Sequence, residues 1–187
     1  MPSPILVVLK PYNPKWPEMA AEHVAGLQVL GSTLVTVHHI GSTSVPGLGA
    51  KPIIDLMPIV TDLDELDRKR PLVEALGYSW HGELGITGRR YCALSNEDGN
   101  RIAQLHFFTA ESPQIIRHLA FRDYLRTHPK AARAYEHEKR RARDLFPNDS
   151  HAYSDEKAAW IERALGEALA WFATREIPKS NTSWPKE

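Results

Sequence analysis

One stretch decides the fold that this sequence encodes, and it reads His39-Ile40-Gly41-Ser42-Thr43-Ser44-Val45-Pro46-Gly47-Leu48-Gly49-Ala50-Lys51-Pro52-Ile53-Ile54-Asp55. It leaves one strand-like segment, passes through a loop of small residues and enters a second strand-like segment that carries one carboxylate, Asp55. Small residues let backbone N–H groups approach a ligand, and hydroxyls and a lysine can hold phosphate oxygens. An aspartate on the adjoining strand can hold Mg²⁺. The pattern favours a phosphate-binding loop beside an acidic group.

The same stretch carries a family resemblance. It is not a Walker A loop, because Lys51 is followed by Pro52 and lacks the required spacing from the glycines. The order of these features, which is a strand, Gly-Ser, a short connection and a strand with Asp, resembles the nucleotidyltransferase fold of the DNA polymerase beta type. More closely, the segments 39–48 and 50–55 resemble the GrpB-like family, and Phe121-Arg122-Asp123-Tyr124-Leu125-Arg126 and the strand holding His106 add to the match. The resemblance implies an α/β (α+β) fold, a nucleotidyltransferase-like mixed β-sheet with packed helices and a C-terminal helical segment.

Composition limits the setting. The chain has 187 residues, 23 basic and 23 acidic side chains and a formal net charge of zero, which disfavours a broad nucleic-acid-binding surface. Cys92 is the only cysteine, so intramolecular disulfides and cysteine zinc clusters are excluded and a reducing, cytoplasmic location is expected. No apolar run approaches the ~18 residues of a membrane span, and the N-terminus has no signal-peptide pattern.

Hydrophobic periodicity predicts the order of elements. We expect a nucleotidyltransferase-like α/β core over 1–110, a C-terminal helical segment of the same domain over 111–174, and a disordered tail over 175–187. Ser112 and Ser154 are expected to cap helices, and Pro129 to begin one. Strands are expected at 5–9, 34–40, 53–60, 78–81, 89–94 and 101–108.

Asp55 is the first candidate catalytic residue. Nucleotidyltransferases of this fold carry a second carboxylate two residues later and a third on a neighbouring strand, and together these bind two divalent ions. Here the second position is Met57, and the third is Gln104 or His106, none of which supplies an anion. Asp55 is therefore predicted either to bind one metal with help or to act as a base. The structural alternative is a buried aspartate that pairs with Lys51, His39 or a backbone donor.

Phosphate or nucleotide binding is predicted for the loop. Gly41, Ser42 and Thr43 form the expected cradle, and the alternative is a tight turn whose hydroxyls satisfy their own backbone. Lys51 either contacts a phosphate or neutralises Asp55, and its position before Pro52 restricts where it points.

Two strand histidines provide a possible metal site. If His39, His106 and Asp55 point into one cleft, they can hold a borderline metal such as Zn²⁺ or Mn²⁺. His106 is also a candidate catalytic residue. The alternative is that each histidine is a satisfied structural residue.

Arginines and lysines supply further anion-binding candidates. Arg122 is predicted to be an anion clamp, against the alternative of a salt bridge that docks the helices onto the sheet. Of Arg89 and Arg90, alternation lets only one face the cleft, and Arg90 is the predicted phosphate ligand. Lys139 and Lys157 either face a substrate, as the resemblance suggests, or are solvated.

Two function classes are consistent with these residues. The first is a nucleotide-dependent transferase that moves a nucleotidyl or related phosphate-containing group, with Mg or Mn as cofactor and an acceptor that the sequence does not identify. The second is a non-catalytic module that binds a nucleotide or a CoA-like compound. GrpB-like domains occur fused to dephospho-CoA kinase, where an accessory role is assigned, and Met57 favours this second class. The sequence does not reveal the oligomeric state.

Overall fold

The computed structural model describes residues 6–175, which contain a five-stranded mixed sheet. The strands are β1 (Leu34–Ile40), β2 (Ile54–Val60), β3 (Ser79–Trp80), β4 (Arg90–Ser95) and β5 (Arg101–Thr109). They lie in the order β1-β2-β5-β4-β3, and only the central β2–β5 pair is parallel. The predicted mixed sheet is confirmed.

Helices cover both faces of this sheet. Helix α1 (Trp16–Gly26) and the 3₁₀ segment Leu27–Thr33 precede β1, and the short helices α2 (Leu63–Arg68) and α3 (Arg70–Ala75) follow β2. After β5 come α4 (Pro113–Thr127), α5 (Pro129–Leu145) and α6 (Ser150–Ala173). The Ser112 hydroxyl caps α4, as predicted, and Pro129 begins α5.

The start of the last helix differs from the prediction. Asp149, not Ser154, caps α6, because its carboxylate accepts hydrogen bonds from the backbone N–H groups of His151 and Ala152. Ser154 lies one turn inside the helix and donates to the Ser150 carbonyl. The helix therefore gains a turn that brings Tyr153 towards the loop after β1.

Each face of the sheet has its own core. On one face, Leu56, Leu105 and Phe107 pack with Trp16 of α1 and Leu30. On the other, a smaller cluster packs the sheet against α4 and consists of Ile40, Met57, Ile59, Phe108, Ile115 and Leu119. The strand pairing thus separates residues that point to α1 from residues that point to α4.

The ends of the chain depart from the predicted elements or lie outside the described residues. In the predicted 5–9 strand, residues 6–9 form no strand, although Lys10 makes an isolated antiparallel bridge with Ala50. Residue 5 and the predicted disordered tail from 176 onward lie outside the described part of the chain. Between residues 6 and 175, no helix has the length and apolar character that a membrane crossing requires.

Candidate functional site: a lysine pocket beside the Gly-Ser loop

A cavity of about 190 Å³ opens where the Gly-Ser loop (residues 41–44), the start of β2 and helices α5 and α6 meet. We call it the lysine pocket, because Lys51, Lys139 and Lys157 all line it. Asp55 lines the same cavity, so the loop and the lone strand carboxylate lie on one side of the sheet. The remaining lining residues are Gly41, Ser42, Thr43, Ala50, Ile53, Gln104, Tyr135 and Tyr153.

Helix geometry explains how two lysines become buried. Lys139 follows Tyr135 by four residues on α5, and Lys157 follows Tyr153 by four residues on α6. Residues four apart lie on the same face of a helix, so each lysine is on the buried stripe that its tyrosine occupies. Lys139 is 2% exposed and Lys157 is 8% exposed.

The three ammonium groups have few partners. Lys139 donates a hydrogen bond to the Gly49 carbonyl and lies 4.8 Å from the centre of the Tyr135 ring. Lys157 lies 3.9 Å, and Lys51 5.2 Å, from the centre of the Tyr153 ring. In residues 6–175, neither Lys157 nor Lys51 has a hydrogen bond or a carboxylate at ion-pair distance.

Burial makes these charges costly. It lowers the pKa of Lys139 to about 7, against a weaker upward effect of Glu136. Burial, helped by repulsion from Lys51 and Lys139, also lowers the pKa of Lys157 to about 7. The pKa of Lys51 is lowered by burial too, although Asp55 opposes the shift. An anionic ligand would offset the cost of burying the charge of all three ammonium groups.

Gly41 lets the loop pass close to the acid. Its backbone has φ +70°, and a Cβ at this position would lie 2.6 Å from Oδ2 of Asp55, so glycine is required on both counts. Ile40, the preceding residue, pairs with Asp55 across β1 and β2. The loop therefore begins directly over the carboxylate.

The three hydroxyl groups of the loop have different hydrogen-bond partners. Ser44 donates to the Gly41 carbonyl, and Thr43 donates to the Ile53 carbonyl and contacts Nε2 of His39 at 2.9 Å. Those two fit the tight-turn alternative. Ser42 instead hydrogen-bonds with the buried Tyr135, whose pKa burial raises to about 12. Ser42 and Thr43 both line the cavity, and Ser42 is the one bonded to a side chain of α5.

His106 approaches Asp55 from the neighbouring strand β5. Nε2 of His106 lies 3.7 Å from Oδ1 of Asp55, and Nδ1 of His106 lies 3.4 Å from Nη1 of Arg89. Arg89 can only donate, so its contact with Nδ1 fits an accepting nitrogen at that position. His106 is not among the residues that line the lysine pocket, so it lies behind the carboxylate.

The predicted three-residue metal site is not assembled. His39 pairs with Leu56, which belongs to the core on the α1 side, so strand alternation turns His39 away from Asp55. Met57, at the usual second carboxylate position, is fully buried among the apolar residues facing α4. Among residues 6–175, no three His, Cys, Asp or Glu side chains are grouped to hold a metal.

One carboxylate among three ammonium groups is a poor donor set for a divalent cation, so these residues do not by themselves fit a resident Mg or Mn ion. We derive no chemical step through a metal. The divalent cofactor stays a prediction.

Arg122 holds the loop instead of lining the cavity. It is 7% exposed, and its Nη1 donates to the His39 carbonyl at 3.2 Å. One turn later, Nε of Arg126 donates to the Ser44 carbonyl at 2.9 Å. Asp123 bonds Nε of Arg122 and lies 3.7 Å from Nη1 of Arg126. Helix α4 thereby fixes the backbone on both sides of Gly41.

Arg90 is on the wrong face for the predicted role. It pairs with Phe107, a residue of the α1-side core, and its guanidinium makes two 2.7 Å bonds to Asp67. The structure therefore gives Arg90 a structural ion pair and does not bring it to the lysine pocket. Its neighbour Arg89 faces the side of Asp55.

A larger depression of about 650 Å³ lies between α5 and α6. Its central charges are already paired, because Arg141 contacts Glu138 at 2.7 Å and Glu156 at 2.6 Å. The smaller lysine pocket is the better candidate, since its charges lack such partners.

Comparison with known proteins identifies the family. The family profile described as "GrpB protein" matches residues 6–167. The chain belongs to the GrpB family. The crystal structure of conserved protein GrpB from Enterococcus faecalis is similar, with a TM-score of 0.83, 36% identity, and coverage of 89% of this chain and 99% of that chain.

Two curated relatives show how far the GrpB similarity extends. UPF0157 protein YqkA of Bacillus subtilis is 39% identical over 161 residues, which are 86% of this chain and 46% of that protein. A dephospho-CoA kinase of Mycolicibacterium paratuberculosis is 27% identical over 191 residues, which are 88% of this chain and 46% of that protein. This chain therefore spans about half the length of both.

Within this GrpB chain, sequence reasoning gave too little weight to the helical side of the site. Lys139 and Lys157 were open alternatives, and Tyr135 and Tyr153 were not considered. The signal was available, because a lysine four residues after a tyrosine on an apolar helical stripe is placed for burial.

Proposed function

We propose that this GrpB-family chain binds a nucleotide or related phosphate-containing compound in the lysine pocket and transfers a phosphate-containing group from it. The observation that carries the proposal is the convergence on one cavity of three lysines, from the loop before β2, α5 and α6, with Ser42 and Asp55. Buried ammonium groups without carboxylate partners favour an anionic ligand, because the ligand replaces the hydration that burial removed.

The residues around the pocket suggest a division of roles in the transfer. The acceptor hydroxyl gives its proton to the Asp55 carboxylate as its oxygen bonds to phosphorus. The bond from phosphorus to the bridging oxygen breaks, and the leaving phosphate takes the electron pair. Lys51 and Lys157 stabilise the charge that collects there. His106, behind Asp55, limits the orientations that the carboxyl group can take.

A second candidate function is a binding or accessory module without chemistry. The burial of Met57 favours it, because the position that holds the second metal-binding carboxylate in related folds is here part of the core. Similarity to a dephospho-CoA kinase adds a CoA-related ligand to the possibilities for this module.

The proposal places the protein in the cytoplasm, because a lone buried thiol such as Cys92 is typical of a reducing compartment. Nucleic acid is not part of the proposal.

Thermal denaturation with ATP, pyrophosphate or CoA, each with and without Mg²⁺ or Mn²⁺, tests binding. A ligand at 100 times its Kd stabilises the folded state by about 2.7 kcal/mol. We expect stabilisation of the parent that is smaller in Lys157→Met and unchanged in Lys130→Met, a matched change at an exposed position of the same helical segment as Lys139. No stabilisation by any of these compounds would contradict the proposal.

Phosphorus NMR of the same mixtures separates the two functions. A transferase converts the nucleotide, with water as the default acceptor, and Asp55→Ala abolishes the conversion without abolishing binding. A binding module forms no product, so no new phosphorus species appears with the parent or with the variant.

A further inference from the structure

The ionisable groups that line the lysine pocket are unbalanced. When all three lysines are protonated, they bring three positive charges against the one negative charge of Asp55, so two positive charges are unmatched. The two buried tyrosines do not change this count, since burial raises the pKa of both phenols above the ordinary value.

Neighbouring charges outside the lining do not correct the imbalance. Glu136 acts on Lys139, but its carboxylate is 2.7 Å from Nη2 of Arg140. Glu138 acts on Lys157, but it is bound by Arg141. Arg101 adds further repulsion at Lys51.

The size of the cavity limits how much of a ligand enters. About 190 Å³ is less than the roughly 300–1,000 Å³ of pockets that enclose a whole drug-sized ligand. Only the charged end of a nucleotide fits among the lysines, and the rest lies outside.

From charge and size together, we infer that the lysine pocket takes a terminal, doubly charged phosphate and discriminates against internal phosphodiesters. The inference rests on the proposed function and names its ligand class, a phosphate monoester or the end of a polyphosphate. A terminal phosphate carries about −1.5 to −2 at neutral pH and has three free oxygens. A phosphodiester carries one charge and has a substituent on both sides, so it leaves one lysine unmatched.

Lys157 couples ligand binding in the pocket to proton uptake. It is 8% exposed, without a hydrogen-bond partner in the described residues, and faces the cavity. A dianion beside it restores the full charge that burial disfavours, and its low pKa means that binding above pH 7 takes up protons.

Two matched ligand pairs test the inference by isothermal titration calorimetry on the full chain. AMP is compared with its methyl phosphodiester, and CoA is compared with dephospho-CoA, which lacks only the terminal 3′-phosphate. Inorganic pyrophosphate is the minimal probe. Within a pair that binds, we expect the member with a terminal phosphate to bind at least tenfold more tightly than its partner. If neither pair binds, we expect pyrophosphate to bind at least tenfold more tightly than the methyl phosphodiester and dephospho-CoA. In two buffers of different ionisation enthalpy at pH 7.5, binding takes up protons, and Lys157→Gln reduces that uptake.

The outcomes distinguish failure of the terminal-phosphate preference from failure of phosphate binding itself. Less than tenfold preference, or proton uptake that Lys157→Gln leaves unchanged, overturns the inference while phosphate binding itself still stands. Failure of every one of these compounds, and of ATP, to bind the parent overturns the proposed function as well.

Discussion

Replacing Lys157 by methionine isolates the cost of one buried charge. Its pKa falls from 10.5 to about 7 on folding, so between these values the unfolded chain holds more protons than the folded protein. The free energy of unfolding must then rise with pH across this window, by at most about 1.4 kcal/mol per pH unit for each such lysine. From pH 7 to 9 the calculated gain is on the order of 2 kcal/mol, because Lys157 is half protonated in the folded protein at the start.

Urea denaturation of the parent and Lys157→Met from pH 6.5 to 9 measures this contribution. Methionine fills a similar volume without a charge, so we expect the variant to be more stable than the parent at pH 7. The advantage should shrink by on the order of 2 kcal/mol at pH 9, where the parent lysine is neutral in the folded state.

Lys130→Met is the control, since Lys130 is exposed on α5, and its pH profile should run parallel to that of the parent. A pH-independent difference between the parent and Lys157→Met would refute the reasoning. It would mean that Lys157 is hydrated or paired in solution.

Four further predictions follow from the same geometry. Asp55→Asn should tighten pyrophosphate binding in calorimetry, because it removes the one negative charge from the lysine pocket, while any phosphate transfer is lost. Pyrophosphate binding by the parent should weaken between pH 7 and 9 as the lysines lose protons, with the opposite trend counting against an electrostatic site. Gly41→Ala should lower the free energy of unfolding by about 2–3 kcal/mol, since it adds a clash with Asp55 to the cost of a left-handed backbone, whereas Gly47→Ala, at φ +78° with open space around it, should cost only about 1 kcal/mol. Arg90→Met should destabilise the fold but leave pyrophosphate affinity unchanged, because Arg90 pairs with Asp67 on the other face of the sheet; a loss of affinity would place Arg90 at the site after all.

The local hydrophobic pattern of the sequence predicts most of the strands of the sheet. The apolar run of β1 and the small residues that follow it predicted a strand, a loop and a second strand, and the structure has them with β1 at Leu34–Ile40 as predicted. The loop and Asp55 were placed together correctly, since only a short connection separates them and antiparallel pairing brings their ends into register.

The faces of the strands were harder to assign. The sequence predicts His39 and Arg90 as site residues, yet each points towards the α1-side core. A shift of one residue in a strand moves a side chain to the opposite face, and a sequence with apolar residues on both faces does not say which face holds the cleft. Arg122, predicted to be an anion clamp, donates to the His39 backbone carbonyl and does not line the lysine pocket.

The sequence alone is enough for the family and for the loop beside Asp55, because both depend on residues close together in the chain, and the family resemblance implies the mixed sheet. Only the tertiary structure decided that the cavity is basic. In the sequence, 88 positions separate Lys51 from Lys139, and 18 separate Lys139 from Lys157. The first lies in the loop before β2, and the other two lie on α5 and α6. Their convergence depends on how α5 and α6 pack across the loop, which long-range contacts set and local patterns do not.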